Sequence, residues 1–148
     1  MSKQAPHFWF KWISTSLQEG HDVEITAQGW SMWPTIKPGS ILTLKNVSIE
    51  EIQVGDAIAF IRGEHFVVHR AESIAQENPR KIISRGDANL RFDEIVSEDN
   101  YCGKVIHPQI SPAPRIAQRI FSYLFQFCQI NWARVKKIPS LLKRDSSI

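Results

Sequence analysis

The sequence predicts a mainly β protein: a compact, antiparallel, barrel-like β core with a short helix before it and another after it. Three observations carry this expectation. Between residues 22 and 107, short β-branched or alternating segments recur between Gly, Pro and charged clusters. Before them, residues 7–18 set Phe8, Trp9 and Trp12 at helical spacing. After Pro112-Ala113-Pro114, apolar residues return at helical spacing over 115–138, up to Pro139.

Taken in order, the N-terminal helix carries an aromatic face, which suits either packing on the core or lying at a membrane surface, where Trp is favoured. Six strand segments follow: 22–27, 41–46, 57–63, 65–72, 81–86 and 100–106. The link Arg62-Gly63-Glu64 is short enough to demand a tight hairpin between the third and fourth. The C-terminal segment keeps Ile116, Ile120, Leu124, Phe127 and Val135 on one face, with basic residues around them. It suits the core or, as an amphipathic helix with basic ends, anionic lipid. The 148 residues correspond to a single domain with the β core over 22–107.

Charge is unevenly distributed. Residues 1–114 carry 11 Lys+Arg against 14 Asp+Glu, whereas residues 115–148 carry 7 basic residues and one acid, Asp145. The basic character therefore belongs to the tail, which argues against nucleic acid as a partner of the body and leaves a membrane surface or an acidic partner for the tail. Two cysteines, Cys102 and Cys128, make no disulfide framework, and no Cys or His spacing suggests a metal site. No stretch reaches the apolar length of a spanning helix, and no signal-peptide pattern opens the chain. A cytoplasmic or peripherally membrane-associated protein is expected.

The chemistry concentrates in four segments. Gly29-Trp30-Ser31-Met32-Trp33-Pro34-Thr35-Ile36, continued by Pro38-Gly39, contains the run Ser-Met-x-Pro-Thr. Val54-Gly55-Asp56 leads into the apolar stretch Ala57–Phe60, where Asp56 suits a turn. Phe66-Val67-Val68-His69-Arg70 puts a histidine on a strand, and Ser84-Arg85-Gly86-Asp87-Ala88-Asn89 is followed by Asp93, six residues after Asp87. Cys102-Gly103-Lys104-Val105 closes the series.

In this order the segments resemble the motifs of the type I signal peptidases, and more loosely those of the LexA-like self-cleaving repressors, over roughly residues 27–107. The histidine in a Val-His-Arg context resembles the endoplasmic-reticulum, archaeal and SipW-like branch, in which His takes the place of the Lys base. The resemblance implies a signal-peptidase/LexA-like catalytic fold and a serine endopeptidase that cleaves a leader or exported precursor. It implies Ser31 as nucleophile, His69 as base, and Asp93, with Asp87 as the alternative, orienting the imidazole. The Ser31 backbone N–H would hold the oxyanion, and Met32, Trp33 and Pro34 would line the substrate groove. No cofactor and no metal are implied; the partner is a peptide or precursor protein. The chain departs from the family where Gly29 replaces the hydroxyl residue that bacterial members place two positions before the nucleophile, leaving the oxyanion to backbone donors. Two other readings of the same residues stay open: a peptide-binding module of this fold that does not cut, and a regulator related to the self-cleaving repressors. Against the latter, no helix-turn-helix pattern precedes the β region, and that family uses Lys as its base.

Overall fold

Short β-branched and alternating segments call for a sheet, and the computed structural model builds one, with the continuous apolar run Ala57–Phe60 buried on both its faces. It describes residues 5–109 except Gln76 and Glu94, with side chains from Trp9 onward. The helix expected at 115–138 and Cys128 lie outside the described residues.

Helix α1 (Ala5–Gln18) is followed by strands β1 (Val23–Thr26), β2 (Ile41–Lys45), β3 (Ala57–Arg62), β4 (His65–Ala75), β5 (Lys81–Arg85), β6 (Ile95–Val96) and β7 (Tyr101–His107). The six expected strand segments all form; β6, two residues long, was not foreseen because Ile95-Val96 is too short to show a period. All seven strands join one antiparallel sheet in the order β1-β2-β7-β3-β4-β5-β6. The expected barrel is not closed among the described residues: there β1 pairs only with β2 and β6 only with β5, so the described sheet has two edges. Closure requires the terminal strands to meet, and β6 and β1 are not paired among the described residues.

Cross-strand register decides which side chains share a face. In the β3–β4 hairpin, Ile58 lies opposite His69 and Phe60 opposite Val67, whereas Ala59 lies opposite Val68 and Ile61 opposite Phe66. The first set joins a core cluster with Ile52, Ile82 and Val96. The second faces another cluster with Leu42, Leu44 and the helix residues Ile13 and Leu17. The hairpin turns through Gly63 and Glu64, and Gly63 has φ +58°, a left-handed conformation that favours glycine.

Helix α1 buries Ile13 and Leu17, leaving Trp9 57% and Trp12 51% exposed. Its aromatic face is therefore not its core face. Among the described residues, no helix is long and apolar enough to cross a membrane.

Candidate active site

Ser31 sits in a chain of turns after β1. Trp33 N–H donates to Trp30 O at 3.0 Å and Ile36 N–H to Met32 O at 2.9 Å, which curls residues 30–36. The curl sends Met32 and Ile36 into the core, 4% and 2% exposed. Met32 lines a groove of about 1070 Å³, whereas Trp33 and Pro34, expected beside it, are not among its lining residues. Ile36 lines it instead.

His69 arrives from the opposite strand. Its side chain is only 4% exposed, lies edge-on to Phe60 with ring centroids 6.1 Å apart, and reaches Ser31 Oγ with Nε2 at 2.8 Å. Its other ring nitrogen, Nδ1, makes a short hydrogen bond with Asp93 Oδ2. Serine, imidazole and carboxylate thus form one continuous chain of hydrogen bonds. With Nδ1 bound to a carboxylate, Nδ1 carries the proton and Nε2 is left to accept from Ser31.

Asp93 is itself held from three sides. Its N–H donates to Ser84 O at 2.9 Å, Ser84 Oγ donates to Oδ2 at 3.4 Å, and Arg62 Nη1 donates to Oδ1 at 3.0 Å. The Asp93 side chain is 7% exposed. The two aspartates left open by the sequence are now distinguished. It is Asp93 that meets the imidazole, whereas both carboxylate oxygens of Asp87 take the Arg70 guanidinium, at 2.8 and 2.7 Å. Arg70 also donates to Gly55 O at 2.6 Å, so this buried pair ties β4 to the turn before β3. In that turn Asp56 behaves as the sequence suggested, accepting from Gln53 N–H at 2.9 Å, and it also pairs with Lys104 at 2.8 Å.

Gly86 is the hinge of the arrangement. Beyond Arg85, the last residue of β5, the chain turns at Gly86, and Ala88 N–H donates to Ser31 O at 2.8 Å. A Cβ on Gly86 would stand 2.6 Å from Ser31 O and 3.0 Å from His69 Nε2. Only glycine lets the two segments approach this closely. Arg62, Ser84 and Gly86 were not legible as site residues: Arg62 looked like part of a turn, and no local pattern shows that it crosses to Asp93.

The groove runs from Ser31 and His69 between β1 and the first half of β4, with α1 as a further wall. Among the described residues, β1 pairs with β2 alone, and β5 pairs with β4 from Arg70 onward, leaving His65–His69 paired only with β3.

No family model, curated protein or solved structure matches the chain.

Proposed function

We propose that the protein is a serine endopeptidase of the signal-peptidase type, with a fold of the signal-peptidase/LexA-like class. One observation carries this reading: Ser31 Oγ, His69 and Asp93 stand in unbroken hydrogen-bonding order. Such an order turns a weak hydroxyl into a nucleophile, because the imidazole takes its proton as it attacks and the carboxylate stabilises the imidazolium that forms.

His69 accepts the Ser31 proton while Oγ bonds to the scissile carbonyl carbon. The Ser31 backbone N–H stabilises the resulting oxyanion. Collapse breaks the C–N bond, and the imidazolium gives its proton to the departing amine. A water, deprotonated by His69, then attacks the acyl-enzyme, and Ser31 recovers its proton. The strand edges left unpaired among the described residues support binding of the substrate as an added β-strand, with main-chain hydrogen bonds supplying affinity. The cleaved partner is read as the leader or exported region of a precursor. Exposed Trp9, Trp12 and Trp30 support peripheral contact with a membrane.

The test is cleavage of a quenched peptide library by wild type, Ser31→Ala and His69→Ala, with reaction of Ser31 with a fluorophosphonate followed by mass spectrometry. Cleavage lost in both variants, with Ser31 labelled in wild type alone, is the expected result. Equal cleavage by all three proteins would overturn the mechanism. Binding of peptides without cleavage or labelling would favour the non-cutting module.

A further inference from the structure

Helix α1 does more than cap the sheet. It is anchored by Ile13 and Leu17, 9% and 1% exposed, so its position beside the groove is fixed by the core. From that anchor Phe10 stacks on Phe66 of β4, with centroids 5.8 Å apart and rings inclined by 24°. Trp9 and Trp12, edge to face at 6.2 Å, line the same groove. The strand edges beside them add apolar side chains between polar ones such as Glu24 and Glu64: Ile25 and Ala27 on one side and Phe66 and Val68 on the other pack against the core yet stay only partly buried. This surface lies on the face of β4 opposite to His69, since side chains alternate along a strand.

We propose that α1 and Phe66 form a subsite that selects a bulky apolar side chain (Leu, Met or Phe) in the substrate strand. The inference rests on the peptidase reading of the same groove. A strand added beside β4 presents alternate residues to the face holding Val68 and Phe66. Phe66 precedes His69 by three residues, about 10 Å in an extended chain, so the selected side chain lies two to four residues from the bond that is cut. Nearer Ser31 the groove is lined by Met32, Ile36 and Leu42, all buried. The far end is walled by aromatic rings that a substrate side chain can cover. Covering a large apolar side chain there is worth about ten- to hundredfold in kcat/KM over Ala.

The experiment scans each peptide position in turn with Ala, Leu, Phe and Asp, using full-length wild type, Ser31→Ala and Phe10→Ala, with circular dichroism on each. The expected result is Ser31-dependent cleavage that prefers Leu or Phe over Ala about tenfold or more at one position two to four residues from the cut. In Phe10→Ala that ratio falls at least about fivefold. Phe10→Trp, which fills the subsite instead of opening it, moves the preference toward smaller residues and serves if Phe10→Ala does not fold. Ser31-dependent cleavage with no apolar preference at those positions, or with the same ratio in both Phe10 variants, would overturn the subsite while leaving the peptidase intact. If nothing is cut, the peptidase reading fails separately, and calorimetric binding of the same peptides decides. Apolar-dependent affinity reduced by the Phe10 variants supports the subsite; equal affinities overturn it.

Discussion

Gly86 and Ser31 approach so closely that a Cβ on the glycine would overlap the serine carbonyl oxygen, at 2.6 Å. That contact sets where Ser31 stands, because the same carbonyl accepts the Ala88 N–H at 2.8 Å. Gly86→Ala forces the two segments apart beside His69 Nε2. Misplacement of a reacting group by about 1 Å costs about a hundredfold in rate. The expected outcome is a fluorophosphonate labelling rate for Ser31 about a hundredfold lower, in a protein whose circular dichroism matches wild type.

Asp93 and Asp87 are expected to fail in different ways. Asp93→Asn leaves the imidazole in the wrong tautomer and lowers turnover by about 10³–10⁴ while the fold persists. Asp87→Asn strands the Arg70 guanidinium, whose side chain is 4% exposed. Breaking a buried pair in this way costs about 3–5 kcal/mol of stability. Denaturant titration beside peptide cleavage separates the two: a lost midpoint for Asp87→Asn, a lost rate for Asp93→Asn.

Arg62 is a positioning residue in this scheme. Its side chain is 39% exposed, so its ion pair with Asp93 adds about 1 kcal/mol or less to stability. Its effect is on the direction in which Asp93 faces His69. Arg62→Gln is expected to slow cleavage about tenfold with little change in melting temperature, and Arg62→Lys to recover part of the rate.

Tyr101 makes the fold sensitive to alkali. Its hydroxyl donates to Val47 O at 2.9 Å, and burial, reinforced by the nearby Asp56 charge, pushes its pKa well above the usual 10.0. A raised pKa means that the folded state holds the phenolic proton after the unfolded chain has released it. The contribution is fully present below about pH 10 and declines as pH climbs from there toward the folded-state value. Tyr101→Phe, which cannot ionise, is expected to lose about 1 kcal/mol at neutral pH and to flatten the fall in stability above pH 10. Denaturant midpoints from pH 7 to 11 measure both.

Much of the strand pattern was legible because β periodicity is local. Val67-Val68-His69 alternates between two faces within the hairpin, and Gly63 marks its turn. The short pair Ile95-Val96 escaped notice because two residues carry no period. The aromatic spacing of α1 was visible, but not which side it served. Helical spacing names a face without naming its neighbour; here Ile13 and Leu17 meet the core and Phe10 meets Phe66.

For the site, it was the resemblance of four motifs in order to those of the signal peptidases that singled out Ser31 and His69 and reduced the acid to Asp93 or Asp87. Chemistry restricts nucleophiles and bases to few side chains, and motif order survives in one dimension. Tertiary structure alone decided the rest: that Asp93 meets the imidazole while Asp87 holds Arg70, that Arg62 crosses to Asp93, and that Met32 but not Trp33 or Pro34 lines the groove. The physical reason is distance along the chain. Arg62 and Asp93 are 31 residues apart, and Ser31 and His69 are 38 apart. The register of β3, β4 and β5, together with the turn after β1 that the Ala88 N–H ties at Ser31 O, brings such residues within hydrogen-bonding reach.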